Sequence, residues 1–173
     1  MGQFRKRQWP TQQPGHHTST MAALCGSRPA TSGPVPLTIS LPYGRTLGPV
    51  RYGQPGHQTV VFHHGFDSSE LELPPAPALL ARLKLQILPP DRPGVDQSDV
   101  YRHLTFPSFT ADAVAMLDAL AIRGPVGTVD WSVGGVHALA LAAGYPSQVA
   151  AVQLLSICLP LDDVASYRHL SAR

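Results

Sequence analysis

The chain has 173 residues, 43% of them hydrophobic in type, and a formal net charge of +2. That balance suits one soluble folded domain with a real core. No apolar stretch reaches the roughly 20 residues a membrane helix requires, so a membrane span is excluded from the reading. The charge is unevenly placed: no acidic residue precedes Asp67, whereas six Lys and Arg do. Two cysteines, Cys25 and Cys158, are too few for a disulfide framework, and a cytoplasmic setting is expected. The acid-free, Ser- and Thr-rich start has the composition of a mitochondrial presequence as an alternative, although Pro10, Pro14 and Gly15 interrupt the amphipathic helix such a signal needs.

Residues 1–33 mix Gln, Pro, His, Ser and Thr without an apolar period, the pattern of a disordered tail that buries too little surface to offset its ordering entropy. From Pro34 the alternation of "VPLTIS", the turn "YGR" and the alternation of "LGPVRYG" predict an antiparallel hairpin. "TVVFH" reads as a short buried strand. Leu79, Leu80 and Leu83 then recur at helical spacing, and "KLQIL" forms a strand that stops at Pro89 and Pro90. Thr110 to Ile122 predicts a helix with Val114, Leu117 and Ala121 on one face and Thr110 as its cap. "VGTV" supplies another strand, Val133 to Ala143 a small-residue helix, and "VAAVQLLSI" a last strand. Helices alternating with strands imply an α/β fold: a mostly parallel sheet covered on both faces, after an antiparallel opening. The expected domain spans residues 34–160, with 161–173 as a frayed end or the start of a cap.

"VDWSVGG" sets Ser132 between a strand and a glycine pair. A nucleophile elbow thrusts its residue out of a tight strand-to-helix turn and needs small neighbours two positions either side. Gly134 is small, but Asp130 stands where a second glycine is expected, so the corner is equally that of a serine capping a helix. Acyl transfer also requires amide donors for an oxyanion; the loop "HHGF" and the amide of Val133 at a helix start are candidates.

Three segments together, "TVVFHHGF", "ILPPDRPGVDQSD" and "VGTVDWSVGGVHALALAAGYPSQVAAVQLLS", resemble the α/β-hydrolase fold family in the order and spacing of its first six strands, over roughly residues 35 to 160. The resemblance implies Ser132 as nucleophile, Phe66 and Val133 as oxyanion amides, and His64 with Gly65 as the loop that presents Phe66. Asp91, Arg92, Pro93 and Gly94 match a structural turn of the family. It also implies a small-molecule substrate, an ester or similar compound, and no cofactor. A rival register exists within the same fold: Asp130 with Trp131 mimics the Asp-Trp elbow of epoxide hydrolases and haloalkane dehalogenases. An elbow on Asp130 would need Thr128 and Ser132 in place of two glycines, whereas one on Ser132 departs from the pattern once.

The family's acid and histidine follow the serine in chain order. Here only His137 and His169 follow it; His137 lies too close along the same helix to turn back, and His169 with Asp162 or Asp163 sits where the cap would begin. Loss of the histidine costs on the order of a millionfold in turnover in a worked serine protease. The expectation is therefore a chain nearly inert by itself, or a non-catalytic remnant that binds or assembles. "VAAVQLLSI" would be an uncovered edge open to self-association.

Other chemistries find no support. His63 and His64 are consecutive in a strand and point to opposite faces, so they do not share a metal ion. "SVGGVHAL" lacks the dinucleotide spacing, and no Walker lysine follows a glycine loop. Arg5, Lys6 and Arg7 with Trp9 are too few for nucleic-acid binding.

Overall fold

The alternating start becomes four short strands. In the computed structural model, which describes residues 33–158, these are β1 (Val35–Pro36), β2 (Ile39–Ser40), β3 (Thr46–Leu47) and β4 (Val50–Gly53). β1 pairs antiparallel with β4 and β2 with β3, so the expected hairpin forms but divides between two sheets. There follow β5 (Gln58–His63), α1 (Pro77–Leu83), β6 (Leu85–Leu88), α2 (Phe106–Ala119), β7 (Val126–Asp130), α3 (Gly134–Gly144) and β8 (Val149–Gln153). The larger sheet has the order β1-β4-β6-β5-β7-β8. Its four last strands in chain order run parallel, and β4 joins β6 antiparallel. The fold class is α/β, with a mostly parallel sheet.

The period-2 pattern of the strands sorts side chains between the two faces. On β6, Leu88 enters a cluster with Val61, Phe109, Met116, Leu117, Val126 and Leu141, beneath α2 and α3. Leu85 and Ile87 point the other way, into a smaller cluster with Val50, Tyr52 and Leu80 of α1. Helices therefore cover both faces. The loop after β6 is knitted to the hairpin: Ser98 Oγ donates to the Asp91 carbonyl at 3.1 Å and accepts the Gly48 amide at 3.0 Å, and Asp99 Oδ2 accepts the Thr46 amide at 2.7 Å.

Two helix boundaries differ from the sequence reading. α2 begins four residues before Thr110, and its cap is Thr105, whose side chain accepts the Ser108 amide while Ser108 Oγ accepts the Thr105 amide, a reciprocal capping box. Thr110 lies inside the helix, buried, with Oγ1 donating to the Phe106 carbonyl at 2.8 Å. Pro107, in the first turn, is compatible with a helix start because its missing N–H would have no helical partner there. α3 begins at Gly134, with Val133 as its N-cap residue.

Among the described strands β8 is an edge of the larger sheet, and Ala150 to Gln153 are exposed. No helix among the described residues is long and apolar enough to cross a membrane. The expected tail, except Gly33, and the expected segment 161–173 lie outside the described residues.

Thr105→Ala is expected to destabilise the chain by about 1 kcal/mol, the usual worth of a capping side chain. Urea denaturation of the two proteins, with equal slopes and a lowered midpoint, checks this.

Candidate active site

β7 ends at Asp130, paired in parallel register with His63 of β5, and the chain then turns sharply into α3. Ser132 occupies that turn with φ +57°, in the left-handed region that non-glycine residues seldom enter. The turn is tight because α3 starts against the end of β5: a Cβ at position 134 would run into the carbonyl oxygen of His63. That same carbonyl accepts the Trp131 amide at 3.0 Å. Gly134 is thus sterically required, which explains the glycine two positions after Ser132.

Segment 155–158 folds over the corner. The Ser132 amide donates to the Leu155 carbonyl at 3.0 Å, and the Cys158 amide to the Ser132 carbonyl at 3.3 Å. Asp130 is fully buried; its Oδ1 accepts the Leu155 amide at 3.0 Å, and its Oδ2 has no hydrogen-bond partner among the described residues. Burial pushes its pKa up, while the hydrogen bond from Leu155 acts in the opposite direction. Trp131 stands half-exposed on the rim.

The loop after β5 is held from two sides. Arg92 forks onto it, with one guanidinium nitrogen donating to the His64 carbonyl at 2.8 Å and the other to the Gly65 carbonyl at 2.6 Å. Glu72 Oε2 accepts the Gly65 amide at 2.8 Å. With these groups of Gly65 engaged, Phe66 projects outward, its side chain exposed. Among the described residues no hydrogen-bond partner stands against the amide of Phe66 or of Val133. A Cβ on Gly65 would approach the Trp131 ring to 3.0 Å, so this loop and the Ser132 turn are neighbours. Glu72 and Arg92 as loop anchors were not legible as such, since their partners are backbone groups that carry no sequence signature.

Among the described residues no histidine hydrogen-bonds the serine hydroxyl. His63 points under α2 and α3, its ring 6.2 Å from that of Phe109 and 6.3 Å from that of His137. His137 also packs edge-on against Phe106 and Phe109, at 5.2 and 5.0 Å. His64 turns to the other face, with Nδ1 3.2 Å from the Gly65 carbonyl and Nε2 3.7 Å from Asp91 Oδ1. Burial holds all three imidazoles neutral, His63 near pKa 3 and His64 and His137 near 4. Ser132 Oγ has one side-chain hydrogen-bonding contact among the described residues, Cys158 Sγ at 3.6 Å. His169, Asp162 and Asp163 lie outside the described residues. An apolar cavity of about 430 Å³ opens between the start of α2 and α3, lined by Leu104, Thr105, Phe106, Pro107 and His137.

A family model described as the alpha/beta hydrolase fold matches residues 58–171. A comparison with curated protein sequences finds no match. Among solved structures, the chain is similar to the thioesterase domain from the curacin biosynthetic pathway, with a TM-score of 0.68 and 20% identity over 81% of this chain and 50% of that one. It is similar to epoxide hydrolase A from Mycobacterium thermoresistibile, with a TM-score of 0.61 and 22% identity over 81% of this chain and 46% of that one. A thermophilic esterase from Thermogutta terrifontis gives a TM-score of 0.61 and 21% identity over 78% and 50%. Such identities carry the fold alone, and the chain spans about half the length of these structures.

The buried histidines set a pH dependence. His63 and His137 take up protons in the unfolded chain below the ordinary value of 6.5 but stay neutral when folded, to about 3 and 4. The unfolded state then binds more protons, so stability falls as pH drops from 6.5 towards 4, by up to about 1.4 kcal/mol per pH unit for each group. After burial, the neighbourhood of His137, His64 and Arg92 further opposes a proton on His63, while Asp130 is its register neighbour on β7. Urea midpoints measured across this window are expected to fall with acid, and less steeply in His137→Leu.

Proposed function

The chain belongs to the α/β-hydrolase fold family, and from that premise we propose that it is a hydrolase of the serine type, with Ser132 as nucleophile and small esters or similar acyl compounds as substrates. The observation that carries this reading is the conformation of Ser132: a positive φ at a strand-to-helix corner whose second following residue has no room for a side chain. The amides of Phe66 and Val133 are the proposed oxyanion donors, presented by His64 and Gly65 on one side and by the turn into Gly134 on the other. Val133 stands at the start of α3, where the helix dipole favours developing negative charge. Attack of Ser132 Oγ on an ester carbonyl would place that charge on the carbonyl oxygen, and collapse would expel the alcohol and leave an acyl-enzyme. The apolar cavity beside His137 suits a hydrophobic part of the substrate.

The serine proton needs an acceptor. His63, His64 and His137 are engaged with the core or with the loop after β5, so the base in this reading comes from outside residues 33–158. Residues 33–158 alone would be almost inert towards esters.

Two other readings have support of their own. The Asp130–Trp131 pair and the likeness to epoxide hydrolases favour a carboxylate nucleophile; the burial of Asp130 and its bond to the Leu155 amide weigh towards Ser132. The edge that β8 forms among the described strands, with Val152 and, just beyond it, Leu155 exposed, supports a non-catalytic role through self-association.

A fluorophosphonate probe distinguishes the first two. Any labelling of the full chain is expected to be slow, in keeping with a base from outside residues 33–158, lost in Ser132→Ala and retained in Asp130→Asn; labelling that survives Ser132→Ala, or that is lost only in Asp130→Asn, removes the serine reading. For the edge, light scattering behind a sizing column is expected to show a mass above that of the monomer, reduced in Val152→Lys.

A further inference from the structure

The loop between β5 and α1 and the loop after β6 bring three carboxylates to one point. Oxygens of Glu70, Asp91 and Asp96 all lie within 4.8 Å of one another. Glu70 and Asp91 are 4% and 0% exposed, while Asp96 is at the surface. Asp91 Oδ1 accepts the Glu70 amide at 2.7 Å. The other oxygen, Asp91 Oδ2, and Oε2 of Glu70 are buried with no donor among the described residues. The two side chains stand within hydrogen-bonding reach of each other, and burial together with that closeness pushes the Asp91 carboxyl above its ordinary value. Two unpartnered carboxylate oxygens out of water are costly unless a positive charge or a proton joins them.

Neither neighbouring base hydrogen-bonds these two oxygens, although Arg92 lies close enough to attract Asp91. Arg92, next in sequence, sends its guanidinium to the carbonyls of His64 and Gly65. His64 Nε2 stands 3.7 Å from Asp91 Oδ1, the oxygen the Glu70 amide already uses. We propose that Glu70, Asp91 and Asp96 hold a divalent cation of the calcium class, which fastens the β5–α1 loop to the loop after β6.

The donor set is all oxygen, as a hard cation requires. Calcium binds oxygen at about 2.3–2.6 Å, so three oxygens within 4.8 Å of one another can share one ion, and its flexible coordination accepts an irregular set of carboxylates that magnesium's strict octahedron does not. Exposed Asp96 gives the ion its entry from solvent. The cation braces both supports of the Gly65 loop: Glu72 lies two residues from Glu70, and Arg92 is adjacent to Asp91. The site is independent of the nucleophile assignment, because none of its ligands belongs to the corner at Ser132.

Tyr52 offers a reporter, since its hydroxyl donates to the Glu70 carbonyl at 3.0 Å and its ring can sensitise terbium bound beside it. The full chain, freed of metal with a chelator, is titrated with terbium chloride under tyrosine excitation, and its melting temperature is read with and without calcium chloride at constant ionic strength. The expected result is saturable one-to-one emission, displaced by calcium more readily than by magnesium, with a calcium-dependent rise in melting temperature. Asp96→Asn, at an exposed position, weakens both responses by roughly tenfold or more, because ligand charge tunes calcium affinity over decades. Tyr52→Phe removes most of the emission and keeps the calcium-dependent rise. The proposal is overturned if folded wild-type chain shows neither response, or if Asp96→Asn and Glu70→Gln leave both unchanged. It is equally overturned if Glu70→Gln stabilises the metal-free chain while calcium has no effect on wild type, the signature of two carboxyls sharing a proton.

Discussion

The carbonyl oxygen of His63 is the point on which the candidate site turns. It ends the central strand, accepts the Trp131 amide, and occupies the space a side chain at position 134 would need. Because strand end and helix start meet there backbone to backbone, the chain between them cannot relax into an ordinary turn. The residue at its apex takes a left-handed conformation, and that residue is Ser132. Strain of this kind persists where surrounding structure over-determines it, and such positions cluster at functional sites. Here the surrounding structure is the parallel pairing of β5 with β7 and the strap formed by residues 155–158.

Around that point the polar groups are anchored more than the apolar ones are packed. Arg92 and Glu72 grip the loop after β5 through its backbone, so the placement of Phe66, the next residue and a proposed oxyanion donor, is governed by groups that need not touch a substrate. Preorganised donors act without the cost of reorienting during reaction. Asp130 serves a comparable end on the other side: the carboxylate that departs from the small-residue pattern of the elbow is turned inward and spends one oxygen on the Leu155 amide. A crowded position is thereby used to tie down the strap.

The architecture was largely legible. "TVVFH" and "VGTV" are short apolar runs with β-branched residues, and both became central strands; the glycine after the Ser132 corner announced a close approach that the backbone of β5 explains. What escaped the sequence reading depended on contacts with no local signature. The start of α2 was misplaced because Phe106 and Pro107 obscured the Thr105–Ser108 box, and Thr110 offered a nearer but false cap. The hairpin is legible, but its division into two sheets reflects pairing of β4 with β6, where Tyr52 stands against Ile87. The roles of Glu72 and Arg92 rest on bonds to main-chain atoms of another segment, and the meeting of Glu70 with Asp91 and Asp96 requires two loops to be folded together.

β6 has a wider consequence. Its three apolar residues divide between the two apolar clusters, Leu88 to the one under α2 and α3, Leu85 and Ile87 to the one under α1, while its backbone joins the antiparallel start of the sheet to the parallel remainder. Neither cluster can loosen without shifting the strand that the other packs on. The two halves of this layer are therefore coupled in cooperativity, melting as one foldon instead of two in succession.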